Sequence, residues 1–259
     1  MTVLLPEGEQ LLGSRLPAVT SADLEQLCDN ITGYSGYAFN ENIRQGYLTA
    51  SGGFRIGLCG TAVVRNGEST AMKDYSSAVI RIGREQTGLA DQVIDKLWEN
   101  GRFVSTLIIA PPGLGKTTLL RDLVRLLSDG TPTLPAQRVA LADERGEIAA
   151  VYRCQPQLAV GCHTDVLDGC PKAIAIPMLL RATNPQIIAV DEITVREDLQ
   201  AMAQAANCGV GLLATIHAAN RREVERKPLF RQLLKMQVFE RAVTIRRCGE
   251  KRIYQVECL

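Results

Sequence analysis

The run Ala110-Pro111-Pro112-Gly113-Leu114-Gly115-Lys116-Thr117-Thr118 constrains this chain more than any other feature. Before it lies an apolar stretch, residues 104–110, with the composition of a buried strand. After it come Leu119, Leu120, Leu123, Val124, Leu126 and Leu127, spaced as an amphipathic helix that stops at Asp129-Gly130. Strand, glycine-rich loop and helix with Gly-Lys-Thr in its first turn form a cradle for phosphate. Backbone N–H groups wrap the anion, and the helix N-terminus adds positive potential. In such a cradle the Lys116 ammonium reaches the outer phosphates and the Thr117 hydroxyl is a Mg²⁺ ligand. The expected ligands are therefore ATP and Mg²⁺, with residues 110–118 as the binding loop. The strict pattern has glycine where this chain has Ala110, and alanine at that place demands negative φ or a strained turn.

A triphosphate site also needs an acidic strand end for the metal and a group that positions the attacking water. Residues 187–190 form an apolar strand that ends in Asp191-Glu192. Asp191 is the expected Mg²⁺ partner. Glu192, one residue beyond the strand, is the expected water-orienting base. A second acidic strand end follows residues 139–142, at Asp143-Glu144-Arg145. Glu144 is an alternative water-positioning group, and Arg145 suits the charge that spreads over a γ-phosphate, in its own or a neighbouring subunit. A third apolar strand ends in Thr215-Ile216-His217, where a histidine is placed to sense the γ-phosphate. The catalytic candidates are thus Glu192, Glu144, Arg145 and His217, and the metal candidates Thr117 and Asp191.

Apolar runs at 104–110, 138–142, 187–190 and 210–216 alternate with helical patterns at 116–128, about 171–183 and 197–207. That alternation predicts an α/β fold, a P-loop NTPase core with a mainly parallel sheet covered on both faces. Leu89, Val93 and Leu97 predict one more helix, ended by Asn100-Gly101, and 241–247 with 251–258 predict a closing hairpin. The N-terminal third reads differently. Thr20-Ser21 starts a helix with Asp23 in its first turn, and Tyr34, Tyr37, Phe39 and Tyr47 gather four of the eleven Phe and Tyr residues. Residues 47–69 read as antiparallel strands with tight turns at Gly52-Gly53 and Asn66-Gly67. The expected organisation is a small N-terminal α+β domain, residues 1–80, a linker, 81–88, and the ATPase domain, 89–259.

Composition excludes more than it assigns. Residues 1–17 lack the long apolar core of a secretory signal, and no apolar run approaches the ~20 residues of a membrane span. The expected location is cytoplasmic, with docking at the cytosolic face of a membrane complex through partners. The eight cysteines contain no CxxC pair and there are only two histidines, so no structural zinc is expected. The net charge of +1 hides a basic end: residues 221–259 hold 11 Lys and Arg against 5 Asp and Glu. Such a segment meets phosphate, anionic lipid or an acidic neighbour, or is simply a solvated face. Near-neutral charge and the lack of an aromatic–basic stripe argue against nucleic acid as a partner. A nucleic-acid-associated ATPase and a nucleotide-binding scaffold with weak turnover remain the competing classes.

The stretch Leu179-Leu180-Arg181 through Asn184-Pro185 to Asp191-Glu192, with Thr215-Ile216-His217 after it, resembles the Walker B and histidine-box region of type II/IV secretion ATPases. The resemblance implies functional candidacy for Arg181, Glu192, Glu197 and His217, and makes Asp143-Glu144 similar to the Asp box. Two departures are visible: Asp191 stands where those motors often carry glycine, and Thr194 stands where they carry arginine, with Arg196 displaced by two. Over nearly the whole chain, the sequence resembles the stage III sporulation protein AA family. The marks are Asn42-Ile-Arg-Gln-Gly-Tyr-Leu-Thr49, Gly52-Gly-Phe-Arg-Ile-Gly-Leu-Cys-Gly60, Asp143-Glu-Arg-Gly-Glu-Ile-Ala149 and Thr164-Asp-Val-Leu-Asp-Gly-Cys-Pro-Lys172. That resemblance implies a motor powering a channel complex between mother cell and forespore, with membrane channel proteins as partners. It also implies a homo-oligomer, a ring of six. From their place at the domain junction, Arg55, Arg81 or Arg84 are the expected residues to reach a neighbour's nucleotide. The segment 165–172 itself reads as a shaped loop before a helix starting near Pro171.

Overall fold

The computed structural model describes residues 2–5, 8–11, 18–33, 46–65, 68–83, 85–249 and 251–259. Expectations that fall on Tyr34, Tyr37, Phe39, residues 42–45, the Asn66-Gly67 turn and Arg84 lie outside them. The chain divides into two units, residues 1–83 and 84–259.

In the first unit, β1 (Thr2–Leu5) pairs antiparallel with β2 (Gly8–Leu11). Helix α1 (Ser21–Thr32) begins at a reciprocal cap: the Asp23 N–H donates to Thr20 Oγ1, and the Asp23 carboxylate accepts from the Thr20 N–H at 2.7 Å. Strands β3 (Tyr47–Ala50), β4 (Phe54–Arg65) and β5 (Glu68–Arg81) form an antiparallel sheet. Its alternate residues Leu48, Ile56 and Leu58 bury against Cys28 and Ile31 of α1. Ile80 and Arg81 belong to β5, opposite Ile56 and Arg55, and Arg55 stacks over the Tyr47 ring at 3.8 Å.

In the second unit a small hairpin, β6 (Trp98–Glu99) and β7 (Arg102–Phe103), is followed by β8 (Thr106–Ala110), α2 (Lys116–Asp129), β9 (Val139–Asp143) and β10 (Thr164–Asp168). Then come α3 (Lys172–Thr183), β11 (Ile187–Val190), α4 (Arg196–Asn207), β12 (Gly211–His217), α5 (Arg221–Arg226), α6 (Pro228–Lys235), β13 (Arg241–Cys248) and β14 (Lys251–Cys258). One seven-stranded sheet has the order β10-β9-β11-β12-β8-β13-β14. Every neighbouring pair is parallel except β13 with β14. Alternate residues feed two cores. Ile109, Ile188, Val190, Leu212 and Ala214 face α3 and α4, while Ile108, Leu141, Ala189, Leu213 and Val243 face α2. Burial on both faces is why these strands are apolar throughout. Among the described residues no helix is long and apolar enough to cross a membrane.

Two local expectations are corrected. Residues 89–97 form short 3₁₀ turns, Ala90–Gln92 and Ile94–Leu97, in place of one α-helix. The Asp122 carboxylate of α2 captures the Ala90 N–H at 2.8 Å, and Asn100-Gly101, both at positive φ, turn the chain back as a hairpin. Leu97 and Val93 are buried all the same, so the apolar spacing served packing without a continuous helix. Thr164–Asp168, read as part of a loop, is the edge strand β10, in register with Val139–Asp143. Its alternation is masked by aspartates at 165 and 168, tolerable on a strand with one solvated edge.

The approach to β10 is tied beneath α2. The His163 N–H donates to Ser128 Oγ at 2.7 Å and the Cys162 N–H to Asp129 Oδ1 at 2.8 Å. Gly161 turns this corner at φ +88°, and a Cβ there would stand 2.5 Å from Ser128 Cβ and 2.8 Å from the Arg125 carbonyl oxygen. Gly161→Ala therefore meets both an unfavourable backbone and a clash against fixed atoms. It is expected to lower stability by about 2 kcal/mol or more, read as a shift in the urea midpoint at unchanged slope.

Candidate active site

The C-terminal ends of β8, β9, β11 and β12 lie along one edge of the sheet, where an open α/β fold places its ligand. Ala110 ends β8 fully buried, in register with His217, and is not among the residues with positive φ. The position asks for an extended backbone and a small side chain, which alanine supplies without strain. The left-handed places fall instead on Gly113 (φ +77°) and Gly115 (φ +90°), the latter capping α2.

Around the α2 N-terminus a continuous set of polar contacts joins three strands. The buried Lys116 Nζ donates to the Pro111 carbonyl at 3.1 Å and lies 2.8 Å from His217 Nδ1. An ammonium only donates, so Nδ1 is assigned as the acceptor and Nε2 carries the proton toward Glu192 Oε1, 3.0 Å away. Asp191 spends one oxygen on the Thr117 hydroxyl (2.9 Å) and the other on the Thr215 hydroxyl (2.6 Å) and the Glu192 N–H (3.0 Å). The Glu192 N–H also reaches Thr215 Oγ1 at 2.9 Å, and the Ile193 N–H donates to the Thr215 carbonyl at 3.0 Å. These bonds hold Glu192 at φ +37°, a strained backbone for a side-chain-bearing residue. Burial pushes the Lys116 ammonium below its ordinary value, with the Asp191 and Glu192 charges opposing the shift. A cavity of about 230 Å³ is bounded by Pro112, Gly113, Lys116, Thr117, Asp191, Glu192 and His217, among others.

The second acidic tip is built differently. Asp143 is almost wholly buried, and its carboxylate accepts from the N–H groups of Glu147 (2.9 Å), Ile148 (3.0 Å) and Ala149 (2.8 Å). Burial raises its pKa, while those three bonds pull it down. Asp143 thus shapes the 144–149 loop. Arg121 fastens that loop to α2 by donating to the carbonyls of Ile148 and Glu147. Glu144 pairs with Lys172, a buried lysine at the start of α3. Arg145 is exposed and reaches Glu192 at 3.7 Å within the same chain. A narrow cleft bounded by Glu144, Arg145, Glu147, Lys172, Asp191 and Glu192 joins the two acidic tips.

Of the residues singled out from the sequence, Lys116, Thr117, Asp191, Glu192 and His217 meet in one network, and Glu144 and Arg145 stand beside it. Pro111 contributes its carbonyl, and Leu114 packs partly buried against the α2 core. Thr118 follows in the first turn of α2. Arg181 lines a separate hollow between β10 and α3, and Arg196 and Glu197 start α4 outside the cavity. Arg55 and Arg81 face each other across β4 and β5 of the first unit. Sequence reasoning missed three residues. Thr215 shares the His217 side of β12 by period-two alternation, a usable signal. Lys172 ends the distinctive 164–172 run, and Lys227, which donates to the His217 carbonyl at 2.8 Å, carried no signal at all. A larger cavity, about 1020 Å³, opens at the opposite sheet edge beside Ser105, Gln186 and Gly211, away from this chemistry.

The family model described as "Sporulation stage III, protein AA" matches residues 1–256. The curated stage III sporulation protein AA of Bacillus subtilis (strain 168) is 36% identical over 230 residues, covering 89% of this chain and 75% of that protein. Among solved structures, the pilus retraction motor PilT with bound ADP is similar with a TM-score of 0.64 at 18% identity, over 100% of this chain and 75% of that one. The Legionella pneumophila ATPase DotB follows the chain with a TM-score of 0.59 at 15% identity, over 94% of this chain and 70% of that one. At such identity the likeness establishes the fold, an α/β core shared with secretion and pilus ATPases.

The acidic cluster has a pH signature. Asp168 sits level with Asp143 at the end of β10 and keeps some solvent contact, but partial burial and the Asp143 charge push its carboxyl up to about 6, against a hydrogen bond from Gly169. Because the folded pKa lies above the ordinary 3.8, ionisation costs folding free energy. The cost is absent below about pH 4, where both states are protonated, and complete above about pH 6. Asp168→Asn should therefore raise the melting temperature at pH 7.5 relative to the unsubstituted protein and leave it unchanged at pH 3.5. An equal shift at both pH values would refute the assignment.

Proposed function

This chain belongs to the sporulation stage III protein AA family, and we propose that it is a Mg²⁺-dependent ATPase of the secretion-motor kind. The observation that carries this reading is the convergence of Lys116, Thr117, Asp191, Glu192 and His217 into one hydrogen-bonded set at the end of a glycine-turned loop. The Thr117 hydroxyl and Asp191 carboxylate are hard oxygen donors 2.9 Å apart, the donor type that Mg²⁺ prefers. Among the described residues no group of three or more His, Cys, Asp and Glu side chains is arranged to hold a metal alone. That suits an ion completed by phosphate oxygens and water. Bound there, Mg²⁺ supplies neutralisation of the charge on transferring phosphate oxygens.

Each residue has a role that follows from its surroundings. The α2 N-terminal N–H groups and Lys116 bind the phosphates. Glu192, at the tip of β11 and in contact with His217 and Arg145, holds and orients the attacking water. His217 links Lys116 to Glu192 and so couples phosphate occupancy to the base. Glu144, fixed by Lys172, lines the same cleft, and Arg145, in contact with Glu192, is the arginine given to the developing charge. A ring of six copies, action at the cytosolic face of a membrane, and channel proteins of a sporulation complex as partners belong to the same proposal, supported by family membership.

Phosphate release and equilibrium nucleotide binding test it together. Glu192→Gln is expected to lower kcat by about 10² or more while MgATP affinity is retained. Lys116→Ala is expected to abolish binding. Phosphate release unchanged in Glu192→Gln would sink the role given to Glu192. Light scattering with and without a non-hydrolysable ATP analogue reads assembly, and a monomer under both conditions would count against the ring.

A further inference from the structure

The basic C-terminal end has a structural destination. Strand β14 is antiparallel to β13, so the turn that joins them returns to the edge of the sheet where the parallel strands end and the glycine loop lies. On β13 the alternate residues Val243 and Ile245 are buried in the core beneath α2. On β14 Tyr254 and Val256 pack against that same core. Continuing both alternations toward the turn brings the same face to Arg247 and Arg252, which are directly opposed in the register. At this step the apolar face ends and two guanidinium groups begin. Arg252 reaches the loop: its Nη1 stands 2.8 Å from the place a Cβ on Gly115 would occupy, and its Cζ at 3.2 Å.

Two features of this pair are unexplained by folding. Like charges directly opposite in an antiparallel pair oppose each other. Yet among the described residues neither Arg247 nor Arg252 forms an ion pair, and Arg252 makes no hydrogen bond. An exposed guanidinium set against the N-cap of the helix that follows the glycine loop is instead a site for an anion.

We infer that Arg252 is a phosphate contact that this chain supplies to its own nucleotide, acting on the α- and β-phosphates. The inference rests on the ATPase reading and sharpens it. The γ-phosphate end of the loop is marked by Asp191, Glu192 and His217 on β11 and β12. Arg252 arrives from β14, on the opposite flank of β8. It therefore meets the part of the nucleotide that ATP and ADP share, and adds uniform binding with no share in the hydrolytic step. Gly115 is required for its left-handed backbone, and the lack of a side chain there leaves room for the guanidinium close to the loop.

Isothermal titration of the full chain with MgATP and with MgADP tests this. Arg252→Ala should weaken both by about tenfold, the size of one charge-assisted contact at an exposed position, with the melting temperature of the nucleotide-free protein unchanged. Unchanged affinity for both nucleotides would overturn the inference. So would a loss confined to MgATP, which would move Arg252 to the γ end. If the unsubstituted protein binds neither nucleotide, the ATPase reading falls and this inference with it.

Discussion

One carboxylate organises the site. Asp191 stands at the tip of β11 and holds the first turn of α2 through Thr117 and the neighbouring strand β12 through Thr215. Because both contacts are hydroxyl-to-carboxylate bonds at 2.6–2.9 Å in a largely buried setting, they are strong and geometrically demanding. The Glu192 backbone then has little freedom, since its N–H is shared between Asp191 and Thr215. The positive φ of Glu192 is a consequence of this anchoring, and such strain persists only where neighbours over-determine the backbone. The glycine loop, the acidic tip and the histidine tip form a single object with Asp191 at its centre.

Electrostatics in the neighbouring cleft are balanced by a division of labour among acids. Asp143 is withdrawn into backbone hydrogen bonds, Glu144 is matched by a buried lysine, and Glu192 faces His217 and Arg145. Carboxylates crowded together without such partners would repel one another. Asp168, which has no cation beside it among the described ion pairs, is the one pushed to about 6. The bonds from Arg121 to the 147–148 carbonyls tie the acidic loop to α2, the helix that Asp191 also holds through Thr117.

Much of this was legible in the sequence, and the reasons differ by element. The strands at 106–110, 187–190 and 211–217 and the helix after Gly115 are long apolar or amphipathic runs bounded by glycine or acid, and those signals survive any context. Strand β10 was hidden because an edge strand tolerates aspartates that a buried strand excludes. The 89–97 segment misled because its i, i+4 apolar spacing is shared by helices and by irregular turns packed on a helix, and only Asp122, far away in sequence, decides between them. Ala110 looked like a defect when judged against a motif. In the fold it is a strand residue, and the demand for positive φ lies further along the loop. Partners such as Lys172 with Glu144 and Lys227 with the His217 carbonyl come from tertiary placement, which residue types alone do not reveal.

The Lys227 contact carries a mechanical consequence. Lys227, between α5 and α6, bonds to the last carbonyl of β12 and pairs with Glu223 one turn back on α5 at 2.9 Å. The pair of helices and the end of β12 are therefore joined through a single lysine side chain. The contact from α5 and α6 to the His217 carbonyl runs through this one side chain and not through the glycine loop. A change in the position of these helices therefore has a direct side-chain connection to the strand end that carries His217.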